Sequence, residues 1–276
     1  MLSVEHVSFA YVEDKPVLSD IHFSGQRGEV LAIVGRNGAG KSTLLRLLNG
    51  LYQPAAGHIT VDGMSTSDTP IHELAQHIGT VFQVPEQQIF NATIHGEIAF
   101  GPKQQGLTGE ALEARIAEVL DRIGLSGSGA MHPLDIDASA RRLVAVGSVL
   151  AMRPPILLLD EPQRGLDRAA MQRLETIIAE EKAGGSLIVL VCHDMDFVAR
   201  RADRVLGLAR GVLAADLPTA AFFADEALTE AVGVETPDVL RLSLDLGLSP
   251  SLTPDAFARA YLARRGTAGE PGLDGA

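Results

Sequence analysis

"GRNGAGKST", residues 35–43, follows the apolar run "VLAIV" at 30–34 and leads into "LLRLLN" at 44–49. The stretch satisfies the pattern G-x-x-x-x-G-K-S/T, and its place between a strand pattern and a helix pattern decides the fold. Glycines let successive backbone N–H groups turn inward around phosphates, and the start of the following helix adds positive potential. Lys41 is set to reach terminal phosphates, and the Ser42 hydroxyl to ligate magnesium. Gly35, Asn37, Gly38, Ala39, Gly40 and Thr43 complete the cradle, and Gly50 closes the helix expected over 41–49.

Working outward, "ILLLDEP" at 156–162 reads as an apolar strand that delivers two carboxylates at its end. Asp160 is placed to hold magnesium through water, and Glu161 to orient or polarise an attacking water. "SLIVLVCHD" at 186–194 is a second such strand, and the spacing leaves room for a helix over about 167–182 between them. Two strands joined by a helical crossover form a parallel sheet, so the fold class is α/β with a mixed or parallel sheet core. Further strands are expected at 3–9, 58–63 and 79–83, and Pro70 is expected to open a helix of about two turns. From 85 to 150 the pattern turns helical; Leu112, Ile116, Val119, Leu120 and Ile123 share one face and Gly124 follows as a stop.

The 276 residues suit a core of about 200 residues with an appendage. That division predicts an ATPase domain over 1–215, a helical C-terminal region over 216–264 and a disordered tail over 265–276. No window holds the roughly 18 apolar residues of a membrane span. The start "MLSVEHVSF" lacks the pattern of a signal peptide, so the chain is expected to stay in the cytosol. The single cysteine, Cys192, sits among apolar neighbours and reads as a small buried side chain. Net charge is -12, from 35 acidic and 23 basic residues, which argues against nucleic acid as a partner.

In chain order, Tyr11, "GRNGAGKST", Gln83, "LLLDEP", "GLD" at 165–167 and "CHD" around His193 resemble the ATPase domain of ATP-binding cassette (ABC) proteins over about 1–215. The resemblance implies a P-loop NTPase fold with a helical subdomain over about 85–150, binding ATP and Mg2+. It implies that Tyr11 stacks on adenine, and that Gln83 contacts magnesium and the attacking water. It further implies that Asp167 meets the opposite subunit and that His193 bonds the γ-phosphate as a switch. Glu161, His193 and Gln83 are then the catalytic set, with Ser42, Gln83 and Asp160 around the metal.

A narrower resemblance lies in "VFQVPEQQIFNATIHGEIAFGP" at 81–102, where Gln83, Pro85, Gln88, Phe90, Thr93, Glu97, Ala99, Phe100, Gly101 and Pro102 match the ATPases of energy-coupling-factor (ECF) importers. "GVETPDVLRLSLDLGL" at 233–248 resembles the same ATPases. This implies a subunit on the cytoplasmic face of the membrane that drives a transmembrane coupling protein and a small substrate-binding membrane protein. The imports of that family are vitamins or transition metal ions. Ile89, Phe90, Ile94 and Phe100 either form a groove for a helix of the membrane partner or pack the helical subdomain.

In ABC ATPases each nucleotide lies between the phosphate loop of one subunit and an L-S-G-G-Q motif, at a helix start, of the other. Counted back from "VLAM" at 149–152, those positions are here Ile136, Asp137, Ala138, Ser139 and Ala140. Asp137 stands where serine is expected. A carboxylate about 4 Å from a phosphate charge costs about 4 kcal/mol per charge pair at an effective dielectric near 20. As a helix cap, Asp137 also consumes an N–H donor that the phosphate requires. Arg141 and Arg142 either offset that charge or lie solvated. The defect is one-sided, so the expected partner is a second ABC ATPase with an intact signature. The alternatives are an ATPase of another ABC importer class, a regulatory nucleotide-binding subunit with little turnover, and a non-transport ABC ATPase; Glu161 weighs against the second, and the acidic balance and "AFGP" against the third.

Overall fold

The computed structural model describes residues 1–84 and 87–267, excluding the side chains of 265–267. Pro85 and, from residue 268 on, the tail expected over 265–276 lie outside the described residues. The strands are β1 (Leu2–Val12), β2 (Lys15–Gly25), β3 (Val30–Val34), β4 (Ala56–Val61), β5 (Met64–Ser65), β6 (Ile78–Val81), β7 (Ile156–Asp160), β8 (Leu187–Val191), β9 (Arg204–Ala209) and β10 (Val212–Pro218). They form a four-stranded antiparallel sheet ordered β2-β1-β4-β5 and a six-stranded sheet ordered β10-β9-β3-β8-β7-β6. From β9 through β6 the second sheet is parallel, and β10 is antiparallel to β9.

The central strands are apolar throughout because both faces of the sheet are covered. Val30, Ala32 and Val34 of β3 face one core cluster, while Leu31 and Ile33 face the other. On the second side lie α1 (Lys41–Leu48) and the four-stranded sheet, contributing Leu44, Leu47, Val4 and Ile59. On the first lie α3 (Ile94–Gln104), α4 (Gly109–Arg122), α5 (Ala138–Leu150) and α6 (Arg168–Ala183). Each fully buried Leu, Ile or Val contributes roughly 1.5–3 kcal/mol over an exposed one, so the wedge of α1 between two sheets fixes the phosphate loop firmly.

The helical face read from Leu112, Ile116, Val119, Leu120 and Ile123 is buried, and Gly124 follows α4 with φ +74. The helix after Pro70, α2 (Ile71–Leu74), is one turn rather than two, because the chain must enter β6 at Ile78. The strand expected over 79–83 ends at Val81, where the Phe82 N–H leaves the ladder and donates to Gln88 Oε1 at 3.2 Å. Strand β2 and the β9–β10 hairpin were absent from the sequence reading. After α7 (Met195–Arg201), four helices close the described chain: α8 (Thr219–Ala224), α9 (Glu226–Val232), α10 (Asp238–Asp245) and α11 (Pro254–Thr267). Phe222, Val232 and Leu240 from this region join the core cluster of α3–α6.

Candidate active site

Parallel strands end on one edge, and that edge collects the candidate residues. The phosphate loop follows β3, Gln83 stands two residues past β6, Asp160 ends β7 with Glu161 next, and His193 stands two residues past β8. A cavity of about 400 Å³ is lined by Tyr11, Asn37, Gly38, Gly40, Lys41, Ser42, Thr43, Gln83, Glu161 and His193. A neighbouring cavity of about 630 Å³ is lined by Ser42, Gln83 and Asp160, the three residues expected around magnesium. Two residues of the loop face elsewhere. Gly35 lines a third cavity of about 420 Å³ with Asn37 and His193, and Ala39 lies on the opposite flank, its N–H donating to Arg36 O at 3.1 Å.

Close approach dictates glycine at two places in the loop. Gly35 has φ +150 and a Cβ there would lie 2.3 Å from Leu208 O; Gly40 has φ +104, caps α1, and a Cβ would lie 2.5 Å from Leu18. Lys41 lies deep in this turn and donates to the carbonyls of Gly35 at 2.7 Å and Arg36 at 3.0 Å. Burial pushes its ammonium below the usual lysine value, while Glu161 and Asp160 oppose that shift. The Tyr11 hydroxyl and Thr43 Oγ1 are hydrogen-bonded at 2.9 Å, and the Tyr11 ring stands edge-on to Phe9 and Tyr52.

Glu161 is the hub. Gln83 Nε2 donates to Glu161 Oε2 at 2.9 Å, His193 Nε2 lies 3.2 Å from Oε1, and Arg164 stands 3.8 Å away. Its backbone is left-handed with φ +48, a conformation that costs a non-glycine residue roughly 1–3 kcal/mol. The strain is held by the Glu161 N–H, which donates to Val191 O at 2.9 Å, and by Arg142, which donates to Glu161 O at 3.4 Å. Burial, then the charge of Glu161, raises Asp160 above the ordinary carboxylate value, partly offset by Lys41. Burial, then the Lys41 charge, lowers His193 below the ordinary imidazole value and keeps it neutral near pH 7. Hydroxyl, amide and carboxylate oxygens at Ser42, Gln83 and Asp160 are the hard donors Mg2+ prefers, so the residues present fit that ion.

At the helix start of α5, Asp137 is the N-cap and its Oδ1 accepts from Ala140 N at 2.9 Å. Ser139, the one hydroxyl among the five signature positions, accepts from Asp167 N at 3.0 Å and donates to Gly165 O at 3.3 Å. Asp167 itself caps α6 through Ala170 N at 2.8 Å. Arg141 donates to the carbonyls of Pro133, Leu134 and Ile136, and Arg142 to Gln83 O at 3.0 Å as well as to Glu161 O. Sequence reasoning missed this second role: Arg142 ties α5 to the backbones of both Gln83 and Glu161. Carbonyl acceptors exist at every residue, so no residue pattern marks such a contact. Of the four apolar residues read over 89–100, Ile94 is fully buried and Ile89 packs on the core, while Phe90 and Phe100 stay exposed, edge-to-face with centroids 4.9 Å apart.

A family profile described as ABC transporter matches residues 18–164. A Pyrococcus horikoshii protein, provisionally named an ABC transporter ATP-binding protein, is 39% identical over 249 residues, covering 90% of this chain and 95% of that one. The energy-coupling factor transporter ATP-binding protein EcfA2 of Caldanaerobacter subterraneus is 36% identical over 253 residues, 89% of this chain and 88% of that one. Among solved structures, cbiO1 from Clostridium perfringens, part of the ABC transporter complex cbiONQ, is 28% identical with a TM-score of 0.76, covering 95% of this chain and 98% of its own. With a phosphate loop, paired carboxylates and a histidine gathered on one sheet edge, the chain belongs to the ABC transporter family as an ATP-binding and ATP-hydrolysing subunit.

Proposed function

We propose that this chain powers an importer of the ECF type, taking up a vitamin or a transition metal ion, as one half of an asymmetric ATPase heterodimer. Similarity to EcfA2 and to cbiO1, and the segment 81–102, support the importer class. The observation that carries the asymmetry is at α5: Asp137 spends an N–H donor on its own cap, and Ser139 is engaged by Gly165 and Asp167 of the same chain. This helix start offers a partner's γ-phosphate a carboxylate instead of a hydroxyl, whereas the chain's own Gln83, Glu161 and His193 are assembled.

At that assembled site Lys41 neutralises terminal phosphates, and Glu161 accepts the proton of the attacking water while Gln83 and His193 hold its two oxygens in place. Ser42, Gln83 and Asp160 would hold Mg2+, which supplies charge neutralisation between phosphates. Tyr11 borders the cavity from β1 and stacks on adenine. The exposed Phe90–Phe100 pair is the grip for a transmembrane coupling protein, which works with a substrate-binding membrane protein. Among the described residues no helix is long and apolar enough to cross a membrane. On the importer reading, the chain works as a peripheral subunit at the cytoplasmic face, docked on its membrane partners.

Steady-state ATP turnover of the purified chain tests the asymmetry. Alone it is expected to be near background, rising when an ATPase subunit with an intact L-S-G-G-Q is added. Vigorous turnover by the chain alone, abolished by Glu161→Gln, would overturn the heterodimer. Copurification with a small integral membrane protein tests the importer, and recovery without any membrane partner would count against it.

A further inference from the structure

We propose that His6, Asp20 and His22, none of which lines the nucleotide cavity, form a binding site for a zinc-class divalent ion on the outer face of the β1–β2 pair. Each residue offers one ligand atom, and these atoms lie within 4.8 Å of one another. Two successive irregularities of the ladder bring them together. Val4 pairs with Phe23 and Val7 with Ile21, so Glu5 and His6 together oppose His22. Phe9 then pairs with Leu18, so Ser8 opposes both Ser19 and Asp20. One extra residue on β1 and then one on β2 turn His6 and Asp20 outward beside His22, whereas strict alternation from buried Val4 would aim His6 at the core.

Both extra residues hold left-handed backbones, φ 52 at His6 and φ 52 at Asp20. They are braced from the strands around them. Ser8 Oγ accepts from Asp20 N at 3.0 Å, and Gly57 of β4 lets His6 O approach so closely that a Cβ there would lie 2.3 Å away. His22 Nδ1 lies 3.2 Å from Asp20 O, so Nδ1–H donates to that carbonyl and Nε2 keeps its lone pair for a metal. His6 Nδ1 lies 2.6 Å from Asp20 Oδ1, an imidazole oriented by a carboxylate.

The donor set selects the ion. Two imidazoles and one carboxylate suit Zn2+, and Ni2+ and Co2+ after it, over the all-oxygen preference of Mg2+ and Ca2+. Tetrahedral Zn2+ with bonds of about 2.0–2.1 Å needs ligand atoms roughly 3.3 Å apart, a contraction that side-chain rotation supplies on a backbone pinned by its neighbours. Exposure of all three residues leaves an open approach and a fourth position for water. A bound ion would cross-link β1 to β2.

The test is Zn2+ binding to the full chain in excess Mg2+, read by competition with a chromogenic chelator, with Co2+ absorption as a geometry readout. One equivalent is expected, together with a rise in Tm. His22→Gln with Asp20→Asn should weaken binding by at least about 100-fold, with the Mg2+-dependent ATP turnover reached beside a signature-bearing partner unchanged. His58→Gln, which removes the neighbouring His58–Glu5 pair at 2.9 Å, should leave it intact. The proposal falls if Zn2+ binds no tighter than millimolar, or if the His6→Gln, Asp20→Asn, His22→Gln triple variant binds as the wild type does. Circular dichroism of each variant separates ligand loss from unfolding.

Discussion

Gln83 and Glu161, 78 positions apart in the chain, meet in a hydrogen bond of 2.9 Å from Nε2 to Oε2. The bond joins the ends of β6 and β7, which are adjacent and parallel, so a residue of the segment leading to the helical region touches the carboxylate proposed to handle the attacking water. Glu161→Gln keeps an oxygen to accept from Gln83 but removes the base. With a signature-bearing partner subunit present, phosphate release is expected to fall by about 10²–10⁴-fold while ATP binding, measured by nucleotide fluorescence, is retained.

Arg142 holds that pair from behind, through Gln83 O and Glu161 O. Arg142→Ala frees the strained backbone of Glu161, and misplacement of a base by about 1 Å costs up to about 10²-fold. Assayed with the partner subunit, the loss is expected in kcat with KM for ATP little changed, since Lys41 and the phosphate loop are untouched. Arg142→Lys, able to reach one carbonyl, should recover part of it. A fall in KM-linked binding instead would assign Arg142 to nucleotide affinity.

The phosphate loop and the carboxylate pair were legible because their chemistry demands particular residues at fixed, contiguous spacing after an apolar strand. Helix α4 was legible because Leu112, Ile116, Val119 and Leu120, with Ile123 at its C-cap, share one face and a glycine stops it. Strand β2 was not: the bulge at Asp20 breaks its alternation, so buried Leu18 and Ile21 are three apart. Ser139 stands two positions after the place expected for the signature serine. Its partners, Gly165 O and Asp167 N, are backbone atoms 26 and 28 positions away, and nothing in their identity announces the contact.

Glu97 is 3% exposed, and its Oε2 accepts from Phe90 N, Asn91 N and Asn91 Nδ2 at 2.9–3.1 Å. It thereby shapes the turn that presents Phe90. Glu97→Ala leaves three part-buried N–H donors without their acceptor and should lower the chemical-denaturation midpoint. Glu97→Gln keeps one acceptor oxygen and should lose much less.

The neutral preference of His193 predicts a pH dependence. Burial and Lys41 hold its folded value below 6.5. Between that folded value and 6.5 the unfolded chain binds more protons, so stability rises with pH through this window. The contribution is complete above 6.5 and is lost as pH falls through the folded value. Tm of the wild type minus that of His193→Gln is therefore expected to climb as pH rises toward 6.5 and then flatten. The acid limb of turnover should fall below 6.5 as well. A difference that grows above pH 7 would contradict the assignment.

Asp137 caps α5 and, in the proposed heterodimer, faces a partner's γ-phosphate as well, and two substitutions separate these effects. Asp137→Ala removes the acceptor for Ala140 N and should cost about 1 kcal/mol of stability. Asp137→Ser keeps a capping oxygen and removes the charge, so stability should stay within a few tenths of a kcal/mol. If the carboxylate is what repels a partner's γ-phosphate, Asp137→Ser should raise turnover of the chain alone while Asp137→Ala, lacking the hydroxyl, should not. Equal turnover in wild type and Asp137→Ser would place the block at Ala138, Ser139 and Ala140 instead. There Cβ atoms occupy the glycine positions and the Ser139 hydroxyl is engaged by the 165–167 loop.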